Sequence, residues 1–151
     1  MAGPEDIGRL MKEAAASMKG DVKGAIAKLE TAWSIARASG EAGDAAIVAE
    51  ELARAWARRK GAASRSLYYA SKAPELVPER KSAWTTLAKT CELVASRTQG
   101  DHKQRRARAL YRAAAAAFKK AASLTKDPED KRWLLELAGD ASRQAKPAES
   151  T

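Results

Sequence analysis

Apolar residues recur along the chain at intervals of three and four, and polar punctuation divides them into seven segments. A first amphipathic run, Ile7, Leu10, Met11, Ala14 and Met18, ends at Gly20-Asp21. A second, Ala25, Ile26, Leu29, Ala32, Trp33 and Ala36, ends at Ser39-Gly40. The third runs from Asp44 to about Lys60, with Val48, Ala49, Leu52, Ala53 and Trp56 on one side, and stops at Gly61. The fourth begins near Ala62 and is expected to be terminated by Pro74 and Pro78, since proline removes a backbone donor and crowds the preceding turn. The fifth spans Lys81 to about Arg97. Gln99-Gly100-Asp101 then turns the chain into a long sixth segment, with Leu110, Ala114, Ala117, Phe118, Ala121 and Leu124 on one face, expected to end at Asp127-Pro128. The seventh, Lys131 to Gln144, turns Leu134, Leu137, Ala138 and Ala141 inward, and residues 146–151 form a tail expected to fray. These spacings collect residues on one face of a helix. No segment shows the period-two alternation of a half-buried strand, so the chain is expected to be all-α.

One face occurs three times. Ala49, Leu52, Ala53 and Trp56 have the spacing of Trp84, Leu87, Ala88 and Cys91 at an offset of 35 residues, and Leu134, Leu137, Ala138 and Ala141 repeat it 50 further on. A second pattern alternates with it: Ala25-x3-Leu29-x2-Ala32, Ser66-x3-Ala70-x2-Ala73 and Ala114-x3-Phe118-x2-Ala121. Small residues at Ala53, Ala88 and Ala138 let paired helices approach closely, while large neighbours fill the grooves between them. The two patterns resemble the tetratricopeptide (TPR) repeat, W-x2-L-G-x2-Y on a first helix, then A-x3-F on a second and a closing proline. The resemblance implies antiparallel helix pairs stacked as a short α-solenoid. The pairs would cover about residues 5–40, 44–78 and 80–127, with a terminal helix at 130–145, in a single domain over 5–145.

Two departures stand out. The first helix lacks the aromatic residue, and the third pair carries about fourteen extra residues between Cys91 and Ala114. Those residues are expected to elongate both helices of that pair by about two turns each, with a tip at Arg97 to Lys103. Residues 107–145 also look like the second and third helices of a microtubule-interacting and trafficking (MIT) domain. Leu110-Tyr111-Arg112 followed by Phe118 resembles the tripeptide of small mitochondrial LYR proteins. The upstream repeats favour the tetratricopeptide reading.

Composition fits an alanine-rich helical protein: 45% of the 151 residues are hydrophobic and 5% aromatic. No run of apolar residues is long enough to span a bilayer, and Met1 to Asp6 do not start a secretion signal. A soluble, cytoplasmic protein is expected. The single Cys91 has no disulfide partner and the single His102 has no Cys or His at ligand spacing, so the structural zinc templates are excluded. Cys91 is expected to be a buried, inert thiol. Glycine-rich phosphate loops and nucleophile elbows are missing from the sequence, as are carboxylate pairs suited to acid–base work. We therefore expect neither enzymatic activity nor a cofactor. Trp33, Trp56, Trp84 and Trp133 are expected to anchor the core or line a groove.

Charge changes the picture most. Residues 52–126 hold eighteen Lys/Arg and four Asp/Glu, while both flanks are net acidic, so the net charge of +9 is all central. Leu52 to Pro74 has no acid beside Arg54, Arg58, Arg59, Lys60, Arg65 and Lys72. His102 to Lys126 has none beside Lys103, Arg105, Arg106, Arg108, Arg112, Lys119, Lys120 and Lys126. Arg105, Arg108, Arg112 and Lys119 fall on one helical stripe. A solvated face normally relieves such repulsion with acidic residues one turn away. Arg54, Arg58, Arg65, Arg105, Arg108, Arg112 and Lys119 are therefore the candidate contacts for an acidic partner. Tetratricopeptide domains that clamp a C-terminal carboxylate use paired Lys/Arg and Asn side chains, and this sequence contains no asparagine. The expected function is an adaptor or scaffold that binds an acidic or amphipathic-helical protein segment. A basic subunit of a ribonucleoprotein or nucleic-acid complex is the alternative, through phosphates and not bases, because no set of exposed stacking aromatics is evident beside the basic runs.

Overall fold

The computed structural model describes residues 2–98 and 104–147. Among them are seven α-helices: α1 (Ile7–Ser17), α2 (Val22–Ser39), α3 (Ala42–Ala57), α4 (Ala63–Leu76), α5 (Lys81–Arg97), α6 (Gln104–Ser123) and α7 (Pro128–Ala145). The described residues contain no strand. The chain divides into two compact units, Met1–Pro78 and Glu79–Thr151.

In the first unit α1 packs on α2, α2 on α3 and α3 on α4. Asp21 caps α2, its Oδ1 accepting from the Gly24 amide at 2.8 Å. At the other end Gly40 takes φ +71°, which lets the Glu41 amide bond back to the Ala36 carbonyl at 3.1 Å and reverse the chain. Gly61, at φ +80°, makes the corresponding left-handed step between α3 and α4. The Ser66 hydroxyl donates to the Ala53 carbonyl at 2.7 Å in the buried seam of α3 and α4, which fastens the two helices where both residues are small.

In the second unit α6 packs on both α5 and α7. Its core joins Ala88 of α5, Ala117, Phe118, Ala121 and Ala122 of α6, and Leu134 and Ala138 of α7, with Trp84, Leu87 and Leu137 packed against them. Phe118 is the largest fully buried side chain. The repeated faces coincide with burial. Ala53, Ala88 and Ala138 are all buried, as are Ala49, Leu52, Cys91, Leu134 and Ala141, and every position of the three second-helix patterns. Trp56, Trp84, Leu87 and Leu137 are half-buried. Trp133 is not in the core: it is 59% exposed on α7, because it lies off the Leu134–Ala138–Ala141 face.

Proline acts differently from expectation at two places. Pro74 lies buried inside α4, which continues to Leu76. It sits in the last turn, where one lost backbone bond ends nothing that Pro78 was not about to end. Pro128 starts α7 at its first turn, with Asp127 as N-cap, because its fixed φ suits that position. α6 stops earlier, at Ser123, where the Leu124 and Thr125 amides close tighter turns on Ala121 and Ala122.

Elongation of the third pair is confined to one end. α5 runs six residues past Cys91 where α3 runs one past Trp56, and α6 begins ten residues before Ala114 where α4 begins three before Ser66. That is about one and a half and two turns. α5 also starts later in the repeat, so at 17 residues it is barely longer than α3 at 16. Residues 99–103, the centre of the expected tip, lie outside the described residues, as do His102 and Lys103.

Close approach at Ala88 makes a direct prediction. Ala88→Leu should overpack the α5–α6–α7 core and lower stability by about 1–3 kcal/mol, whereas Ala113→Leu, on the exposed side of α6, should change it by less than about 0.5 kcal/mol. Equal melting temperatures for the two variants would contradict the packing.

Candidate functional site

Two surfaces combine unusual charge with defined geometry, one in each unit. The first lies on the outer face of α6. Its inner face is set by Ala114, Ala117, Phe118 and Ala121, so Arg105, Arg112 and Lys119 are left exposed and Arg108 half-buried. The structure thus places these four residues on one helix, on the side away from the core. None of them, nor Arg106 or Lys120, forms an ion pair with any described residue. Several other cations are paired, Arg9 with Asp6 and Glu13, Lys28 with Glu13, Lys81 with Asp130 and Arg143 with Asp140, whereas Lys23, Lys131 and Arg132 are, like those of α6, without an ion pair among the described residues.

The second surface is the corner where α3 turns into α4. Arg54, Arg58 and Arg65 are all exposed there but do not act alike. Arg54 is bonded to Glu51 on its own helix. Arg65 lies over the Trp56 ring, 4.6 Å from its centre, and Arg59 lies over the same ring at 6.0 Å. Arg58, Arg59, Lys60 and Arg65 have no carboxylate partner among the described residues.

Behind them sits a cluster that sequence reasoning missed. The Glu30 carboxylate of α2 accepts from the Trp56 indole Nε1 at 3.2 Å and from the Tyr69 hydroxyl at 2.7 Å, tying α2 to α3 and α4. Tyr69 meets Trp33 edge-on with ring centres 5.5 Å apart, and Tyr68 meets Tyr69 edge-on at 5.1 Å. Arg37 lies over Trp33 at 5.3 Å and Lys72 over Tyr68 at 5.2 Å. Glu30, Trp56, Ser64, Arg65, Tyr68 and Tyr69 line a pocket of about 420 Å³. One exposed aromatic, Tyr68, accompanies this basic run, because α4 turns Tyr69 inward and its neighbour outward, while Trp56 is half-buried. The available signal was Glu30, a charge flanked by the core positions Leu29 and Ala32.

Cys91 is buried, and burial, with a smaller contribution from the Glu92 charge, pushes its thiol up to about 11, as suits an unreactive core residue. Among the described residues no group of three His, Cys, Asp or Glu side chains is placed to hold a metal ion. No helix of the described residues is long and apolar enough to cross a membrane.

No family model and no curated protein matches the chain. Among solved structures it is similar to the crystal structure of the Sgt2 TPR domain from Aspergillus fumigatus, with a TM-score of 0.64 and 22% identity over 99% of this chain and 90% of that one. The fold is TPR-like. The expected all-α arrangement of helix pairs is thus found, and the TPR-like fold gives the two surfaces their setting: α4 and α6 are the second helices of their pairs.

The Tyr69 phenol is held above its ordinary value near 10, first by burial and then by its bond to Glu30. A raised value in the folded state stabilises the protein below pH 10 and loses that contribution as the pH climbs past the value of the unfolded chain. Tyr69→Phe should cost about 1 kcal/mol at pH 7 and flatten the decline in stability above pH 10. Urea midpoints of both proteins at the two pH values test this, and identical alkaline declines would contradict it.

Proposed function

We propose that the protein is a non-enzymatic interaction module that holds an acidic, helical segment of a protein partner against the outer face of α6. The supporting observation is the stripe of Arg105, Arg108, Arg112 and Lys119, which meets no carboxylate among the described residues. The stripe runs from Arg105 to Lys119, fourteen residue steps along the helix, about 21 Å at 1.5 Å per residue. A partner helix with carboxylates every turn has the same rise and offers one acid to each cation. Attraction at this surface reaches about 8 Å at physiological salt, so it steers encounter and sets orientation more than it sets final affinity. The TPR-like fold supports an interaction role, and the unpaired cations of α6 support the acidic chemistry of the partner.

Binding of a fluorescein-labelled glutamate-rich helical peptide to the full chain tests the proposal. Reversing Arg105 and Arg112 to Glu should slow association about ten-fold or more and weaken its salt dependence, with helicity unchanged because exposed charges contribute little to folding. Unchanged affinity and salt dependence in the double variant would make the stripe a solvated face. Binding of single-stranded RNA in place of the peptide, with a log–log salt slope that falls by about 0.7–0.9 for each contact removed, would assign the surface to phosphates instead.

A further inference from the structure

The pocket at the α3–α4 corner belongs to the other unit and is built differently from the α6 stripe. Its floor is a half-buried carboxylate, Glu30, held by two neutral donors. Its walls are Trp56, Tyr68 and Tyr69, and Ser64 and Arg65 complete it. Because Glu30 bonds to both Trp56 and Tyr69, the two rings are fixed in advance, and little side-chain freedom remains to be lost when something enters. Tyr68 stays 51% exposed at the mouth. The charge around the pocket is positive: Arg65, in the lining, and Arg59, beside it, lie over Trp56, and neither has a carboxylate partner among the described residues.

We infer that this pocket receives one aromatic side chain, Trp or Tyr, from a partner segment whose flanking residues are Asp or Glu. Three features select that occupant. The aromatic walls favour a planar ring, which gains from edge-on and offset contacts. Each Glu30 oxygen accepts one bond from the walls and retains further acceptor capacity toward the pocket, which suits an indole N–H or a phenol O–H and not an aliphatic side chain. The guanidinium of Arg65, held on the ring of Trp56, presents its remaining N–H groups to carboxylates on either side of the inserted ring. A cationic anchor is disfavoured by Arg65 in the lining and by Arg59 over the Trp56 ring, and a phosphate strand by Glu30. The inference extends the acidic-partner reading to the first unit and rests on it.

Fluorescence anisotropy of labelled pentapeptides on the full chain separates the possibilities. Glu-Glu-Trp-Glu-Glu should bind about ten-fold or more tightly than Glu-Glu-Ala-Glu-Glu. Tyr68→Ala and Arg65→Gln, both at exposed positions, should remove that advantage with helicity retained, and Arg105→Glu in the other unit should leave it intact. Equal binding of the two acidic peptides would overturn the pocket while leaving capture of acidic segments standing. Binding of neither would overturn the pocket and leave the α6 stripe to be judged by its own peptide. Tighter binding of Lys-Lys-Trp-Lys-Lys would make Glu30 the determinant, and tighter binding of oligouridylate would make the corner a stacking platform for bases. Either result would overturn the inference.

Discussion

Close contact between helix backbones, allowed by alanine, is the constraint on which the rest depends. A helix of this chain buries few large side chains, so its apolar face contributes only if the partner helix comes near enough to cover the alanines and the backbone between them. Ala53, Ala88 and Ala138 stand at the same point of three repeated faces, and all are buried. Where a large residue is inserted it has one place to go, as Phe118 does among Ala88, Ala121, Ala122 and Ala138. Interiors packed to crystal-like density tolerate little change in volume, and small residues on both sides of a seam also fix the register of the pair.

The same constraint shapes the surface. When an alanine face points inward, the long charged residues of that helix are confined to the outside. In α6 that arc holds cations and no acid, so the charges find no carboxylate partner among the described residues. In the α1–α2 pair the outside holds both signs, and Arg9, Glu13 and Lys28 neutralise one another. Exposed ion pairs of this kind add little to stability. Their absence from α6 therefore costs the fold little and leaves a surface whose natural complement is negative. At the α3–α4 corner the cations take a different course, settling on aromatic faces and leaving part of their hydrogen-bonding capacity free.

Helix identity, number and inner faces were legible in the sequence because they depend on local spacing. Ser66-x3-Ala70-x2-Ala73 and Ala114-x3-Phe118-x2-Ala121 are buried position for position. Helix ends were less legible, since the same proline starts a helix at Pro128 and rides inside the last turn at Pro74 according to where the preceding turn closes. The basic stripe on α6 could be read from periodicity alone. The Glu30–Trp56–Tyr69 cluster could not, because its members lie 26 and 39 residues apart on three helices and only packing brings them together. Trp133 shows the converse, a residue whose size suggested the core and whose register put it outside.

If alanine packing confines the cations to an outer face that carries no acid of its own, the response to an acidic helix should be local. Backbone amide shifts of the 15N-labelled full chain, followed during titration with a glutamate-rich helical peptide at physiological salt, measure this residue by residue. Shifts are expected along Arg105, Arg108, Arg112 and Lys119 and around Arg58 to Arg65, with the buried positions Ala88, Phe118 and Ala138 unmoved. Shifts confined to α1, α2 or α7, or spread through the buried alanines, would contradict this expectation.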